Sequence, residues 1–231
     1  MKTQDHIHKR FDSELDRLYD EINQMGELAI SQLNSAGDVL NRRDSNAAAR
    51  VVVNDEAIDA LENEISMDVL KLLALRQPMG RDLREVYAAL RISSDIERIG
   101  DYASNVAKRS MVLNNNPPLP AAQRITRLAK TASQLLSDAL KAYADGDDAL
   151  AEKVRQSDAE LDAQYTSYFR ELVTYMMEDP RTIGACTHLM FMAKNIERIG
   201  DHATNIAENT WFIVHGEMPE GERKKEDRTS E

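Results

Sequence analysis

The chain has 231 residues, of which 30% are Asp, Glu, Lys or Arg, and a formal net charge of −11. Such an acidic balance argues against nucleic acid as a partner, because binding it needs a basic face to displace counterions. A mean hydropathy of −0.53 with no apolar run of spanning length argues against a membrane domain, and a single cysteine, Cys186, excludes a disulfide framework and points to the cytosol.

Residues 1–16 lack the apolar core of a secretion signal, and His6 and His8 within them read as solvent-exposed. Helix formers dominate the chain, and no stretch alternates with period two for long enough to need a strand. The first helix should end at Arg43-Asp44-Ser45. A second carries Val51, Ile58, Leu61, Ile65, Leu72 and Leu75 in the three-four alternation of a packed seam, and stops at Gln77-Pro78-Met79-Gly80. The third puts Leu83, Val86 and Leu90 on one stripe and ends in Asn114-Asn115-Asn116-Pro117-Pro118. Breaks at Asp145-Gly146-Asp147 and Asp179-Pro180 delimit a fourth and a fifth helix. The sixth repeats the stripe of the third as Ile183, Cys186, Met190 and Ala193. Met176, Met177 and Met190 read as core filler, and Trp211-Phe212-Ile213-Val214 as a core cap. The polar run from Gly216 onward reads as disordered. The expected fold is all-α, six helices in two pseudo-repeated three-helix bundles: residues 1–116, then 117–215, then a tail at 216–231.

The pseudo-repeat rests on an identity. Ile96-Glu97-Arg98-Ile99-Gly100-Asp101 recurs letter for letter as Ile196-Glu197-Arg198-Ile199-Gly200-Asp201, and Ala103, Asn105 and Ala107 are answered by Ala203, Asn205 and Ala207. Upstream the halves align at an offset of 103, pairing Asp44 with Asp147, Val51 with Val154, Asp55 with Asp158 and Asp59 with Asp162. Leu33 meets Leu136 and Leu40 meets Tyr143 on the same offset. The change of offset should fall at the Pro78 and Pro180 turns.

Each half therefore holds two acidic pairs four residues apart: Asp55/Asp59 with Glu97/Asp101, and Asp158/Asp162 with Glu197/Asp201. On a helix each pair shares one face. Like charges at that spacing destabilise a helix by roughly 0.2–0.5 kcal/mol per pair, and half-burying them costs more unless something neutralises them. Around Glu97 the neighbouring turn positions are Ser93, Ser94, Gly100 and Asp101; around Asp59 they are Asp55, Glu56, Glu62 and Asn63. The local base expected is Arg155, three residues before Asp158. The eight acids are thus candidate cation ligands. An oxygen-only donor set favours magnesium, manganese, calcium or iron, and His202, adjacent to Asp201, should point away from it. Gly100 and Gly200 are costly in helix interiors, so each should serve the close approach of a neighbouring helix or ligand. The competing account is a solvated face with Arg98 and Arg198 as interhelical partners.

These residues carry a resemblance over almost the whole chain. The doubled Ile-Glu-Arg-Ile-Gly-Asp segments, the pairs Asp55/Asp59 and Asp158/Asp162, the turn Arg76-Gln77-Pro78 with Asp82-Leu83-Arg84, and residues 172–182 are similar to the PhoU family of phosphate-transport regulators. The resemblance implies two three-helix bundles, usually dimeric, with multinuclear clusters of iron, manganese, magnesium or zinc on the Glu/Asp-x-x-x-Asp motifs. It also implies a cytoplasmic negative regulator of phosphate uptake, peripheral to the membrane through its partners: the ATPase subunit of the phosphate ABC transporter and a phosphate-sensing histidine kinase. No nucleophile–base pair or Gly-rich phosphate loop appears, so an adaptor is expected rather than a catalyst. The alternatives are a carboxylate-bridged metalloenzyme, a phosphoester hydrolase or an oxidase, and a plain scaffold with solvated acids.

Overall fold

The local chemistry of two aspartates repeats with the sequence. Asp44 and Asp147 both hold extended backbone angles, and each side chain accepts a hydrogen bond from the backbone N–H three residues on, Ala47 and Leu150, at 2.9 Å. Each thereby caps the second helix of its half. The computed structural model describes residues 2–221, with side chains from residue 11 onward. Among them are six α-helices and no strand: α1 (Lys2–Arg42), α2 (Ser45–Arg76), α3 (Arg81–Leu113), α4 (Gln123–Asp145), α5 (Asp148–Glu178) and α6 (Ile183–His215). The breaks fall where the Pro, Gly and Asx residues placed them. His6, His8 and most of the tail, residues 222–231, lie outside the described side chains.

Short 3-10 turns at Pro120–Ala122 and Pro180–Thr182 lead into α4 and α6. Gly146 ends α4 in the left-handed conformation at φ +62°, which only glycine adopts without strain. Arg43 joins the ends of two helices: its guanidinium donates to the Asn114 and Asn116 carbonyls at 2.7 and 2.6 Å, satisfying acceptors that the end of α3 leaves open.

In the first half α2 lies against both α1 and α3; in the second, α5 lies against α4 and α6. The halves meet along α3–α6 and α1–α4, so all six helices contribute to one apolar core. The buried faces of α3 and α6 are rich in Ala, Ser, Thr and Gly, small side chains that permit close interhelical packing. No helix among the described residues is long and apolar enough to cross a membrane.

Several seam residues part from their expected places. Leu75, Leu83 and Ile183 are exposed, while Val69, outside the expected stripe, is buried. Met25 and Met192 fill the core, whereas Met67, Met79 and Met177 face outward. Of the aromatic closing stretch only Ile213 is buried; Phe212 meets Tyr87 edge-on at 6.1 Å.

Candidate metal centre

The first acid set spans α2 and α3. Asp55 is buried while Asp59 is exposed, and the side chains of Glu97 and Asp101 are 27% and 44% exposed. A Cβ added at Gly100 would come within 3.0 Å of both the Asp55 carboxylate and Ile58. The glycine therefore exists to let α2 bring an acid against α3. Asp55 is held there by Gln32 of α1, whose amide donates to Asp55 Oδ1 at 2.8 Å and to the Gly100 carbonyl at 3.1 Å.

Partial burial, and then the charge of Asp101, pushes the Glu97 carboxyl up; Arg98 opposes this, and Asp59 and Glu62 reinforce it. Asp59 is raised by burial and then by Asp55 and Asp101. The four acids thus lie within one another's field across the α2–α3 boundary. Arg98 sits 3.6 Å from Glu97 and 3.7 Å from Asp101 on its own helix and is 57% exposed, a geometry that neutralises little.

The second set has the same scaffold and a different chemistry. Asp158 comes against Gly200 as Asp55 does against Gly100, so the offsets of 103 and 100 are true structural equivalences. Here Asp158, Asp162 and Glu197 are each only 4% exposed. Lys194, three residues before Glu197, brings its ammonium to 2.9 Å from both carboxylate oxygens and lies 5.1 Å from the Tyr165 ring centroid. Burial raises the Glu197 carboxyl while Lys194 draws it down, with Asp201 and Asp162 adding to the rise.

Two expectations are corrected. Arg155, foreseen as the base beside Asp158, is drawn to Glu152 at 2.7 Å and Glu208 at 3.3 Å. Lys194 is the cation that serves this set, and its i−3 spacing from Glu197 was there to be read. Arg198, foreseen as an interhelical partner of the acids, instead reaches the Tyr102 hydroxyl at 3.5 Å. Gln32 also went unforeseen, although it carried a signal: a polar residue in the α1 seam between Ala29 and Ala36, matched by Leu135 on the 103 offset. His202 does turn away from Asp201; its Nδ1 lies 2.7 Å from Asp95 Oδ1, which also accepts from Asn205 at 3.0 Å. That half-buried link ties α3 to α6.

Among the described residues, no three or more His, Cys, Asp or Glu side chains are grouped closely enough to hold a metal ion as they stand. The first set nonetheless suits a hard cation. It offers oxygen donors from two helices, mutual repulsion that a cation would relieve, and a cradle that any Cβ at Gly100 would fill. Gln32 orients Asp55 from behind, as outer-shell partners orient ligating carboxylates.

A family model described as the PhoU domain matches the chain twice, at residues 22–110 and 125–210. A Xylella fastidiosa protein described as phosphate-specific transport system accessory protein PhoU homolog is 59% identical over 225 residues, 97% of this chain and 95% of its own. A Rhizobium meliloti protein of the same description is 45% identical over 226 residues, 97% of this chain and 95% of its own. The crystal structure of PhoU from Pseudomonas aeruginosa superposes with a TM-score of 0.87 at 37% identity, covering 90% of this chain and all of that one. That of the phosphate transport system regulatory protein PhoU from Streptococcus pneumoniae gives 0.84 at 27% identity, covering 91% of this chain and all of that one.

Proposed function

The chain belongs to the PhoU family, and from that premise we propose that it is an accessory of phosphate-specific transport, a metal-binding regulator that acts by docking rather than by catalysis. Relatives bearing that description align with it over nearly their whole length. In this reading residues 1–116 and 117–215 are the two repeats. The protein works in the cytoplasm as a homodimer and lowers phosphate uptake by linking the transporter ATPase to a sensor histidine kinase.

One observation carries the metal part: Asp55, buried and tethered by Gln32, faces Gly100 with Glu97, Asp59 and Asp101 beside it. Those four acids would hold a magnesium, manganese, iron or zinc ion. The bound cation would cancel their repulsion and lock α2 against α3. Asp158, Asp162, Glu197 and Asp201 are the corresponding candidates in the second half. Gln32 keeps Asp55 pointed at the α2–α3 boundary, and Gly100 keeps that boundary narrow. The acids in this reading set helix packing and so the surface offered to partners.

The test is metal content by elemental mass spectrometry, on wild type and on Asp55→Asn/Asp59→Asn/Glu97→Gln/Asp101→Asn purified without nickel, followed by capture of the ATPase and kinase with each. Stoichiometric metal in the wild type, lost together with capture in the variant while helicity persists, is the expected result. Wild type that stays metal-free after incubation with each candidate ion would sink the metal reading. Phosphoester turnover or dioxygen consumption abolished by chelation would overturn the adaptor reading in favour of an enzyme.

A further inference from the structure

The two halves share a hexapeptide but differ around it at two positions that decide what cation each can hold. Where the first half has Ser94, the second has Lys194; where the first has Glu62, the second has Tyr165 on the 103 offset. Glu62 adds its charge to the field on Glu97 and Asp59. Tyr165 adds none, and its ring lies 5.1 Å from the Lys194 ammonium, a favourable place for a cation. The first set therefore has one acid more and no lysine; the second has one acid fewer and an ammonium 2.9 Å from both oxygens of Glu197.

We propose that Lys194 is a built-in cation occupying the metal position of the second half, so that this chain holds its metal in the first half only. A metal ion ligated by Glu197 would have to displace the ammonium from both carboxylate oxygens and then sit beside it, charge against like charge. It would also have to shed its water to reach Asp158, Asp162 and Glu197, each only 4% exposed. Asp101 and Asp201 are alike half-buried, but Asp59 is exposed where its counterpart Asp162 is buried, so the first set is the more open to solvent. The lysine delivers much of what a metal would deliver there, at fixed occupancy and independent of metal supply. Of the two sets, only the first would then respond to metal availability. The inference rests on the metal reading of the first half, and its test separates the two.

The experiment is manganese titration of the full chain, followed by isothermal calorimetry and by the electron paramagnetic resonance of the bound ion. The variants are Lys194→Ser, Lys194→Ser/Glu197→Gln, Ser94→Lys and Asp55→Asn/Glu97→Gln, with helicity checked for each. Wild type should bind manganese and lose it in Asp55→Asn/Glu97→Gln. Lys194→Ser should bind additional manganese, lost again in Lys194→Ser/Glu197→Gln, and Ser94→Lys should lose the first-half ion. The inference is overturned if Lys194→Ser binds no more manganese than wild type, or if Asp55→Asn/Glu97→Gln still binds it with Lys194 in place. Manganese bound by Lys194→Ser but not by wild type would uphold the lysine's role while removing the metal reading of the first half.

Discussion

The two bundles hold the same acids on the same backbone and treat them differently. What the duplication kept is geometric: Asp44 and Asp147 cap equivalent helices, and Gly100 and Gly200 admit equivalent aspartates. What diverged is the neutralisation. The first half buries only Asp55, with a core glutamine behind it; the second buries Asp158, Asp162 and Glu197, leaves Asp201 half-buried, and pairs Glu197 with Lys194. A repeated motif thus fixes where charges converge, while residues one turn away fix what answers them.

The largest difference between the halves should come from the lysine. In metal-free protein, Lys194→Ser leaves the buried Glu197 without its cation. Removing one partner of a fully buried pair costs about 3–5 kcal/mol. Because the Lys194 side chain is 35% exposed, about 2–3 kcal/mol is expected, read by denaturant unfolding. Ser94→Ala, its counterpart, should stay within about 0.5 kcal/mol. In the background Glu197→Gln the lysine effect should largely vanish, a coupling that a double-mutant cycle isolates. Equal effects at positions 94 and 194 would break the comparison.

The glycines sharpen it next. Alanine gains about 1 kcal/mol of helix propensity over glycine, but overpacking a core costs about 1–3 kcal/mol. At Gly200 the new Cβ would lie 2.5 Å from a terminal methyl of Leu161 and 2.9 Å from Asp158, and both side chains are buried. Gly200→Ala should therefore destabilise by about 1–2 kcal/mol. At Gly100 the contacts are 3.0 Å, so Gly100→Ala should be close to neutral in stability, about 0–1 kcal/mol, while narrowing the cradle enough to weaken manganese binding. Matched thermal melts of the two variants decide whether the second boundary is the tighter one.

Gln32→Leu copies the second half's Leu135 into the first. Loss of a hydrogen bond to a buried carboxylate costs about 1–2 kcal/mol, partly offset by the apolar side chain, so a net loss of about 1 kcal/mol is expected in the metal-free protein. Removing such an outer-shell partner typically lowers metal affinity about 10–100-fold, and manganese titration would show whether Gln32 positions Asp55 or merely fills space. Unchanged affinity would assign it to packing.

The helices and their ends were legible because Pro, Gly and Asx residues act locally: Asp44, Pro78, Gly146 and Pro180 stop or start helices through their own backbone chemistry. The acids were legible from spacing, since four residues place two carboxylates on one face whatever surrounds them. How each set is neutralised was harder to read. Gln32 reaches Asp55 from another helix, and the asymmetry of burial depends on how α5 seats against α6. Lys194 was readable, however, being local to Glu197. It lies outside the repeated hexapeptide, and the first half has Ser94 in its place. The Asp95–His202 link joins residues 107 apart, and nothing periodic marks either partner.

The smallest effect, and the one that separates the halves under a single variable, is pH. Burial and mutual repulsion raise the Asp59 and Glu97 carboxyls. A raised carboxyl binds its proton more tightly folded than unfolded, so its contribution favours the folded state at low pH and is lost as pH climbs through the folded value. Metal-free protein should therefore gain stability from these two groups as pH falls from 7 towards the ordinary carboxylate range near 4. Asp59→Asn/Glu97→Gln should be more stable than wild type at pH 7, with the advantage shrinking on acidification. Manganese reverses the sign, because its ligands must be deprotonated: the stabilisation it gives wild type should fade over that same descent. Glu197 is also raised, but its ammonium partner stays charged throughout, so added manganese should leave its contribution unmoved. Chemical unfolding from pH 7 to pH 4.5, with and without manganese, reads all three. A manganese-dependent pH slope that survives in Asp59→Asn/Glu97→Gln would place the responsive site in the second half and undo the division of labour between them.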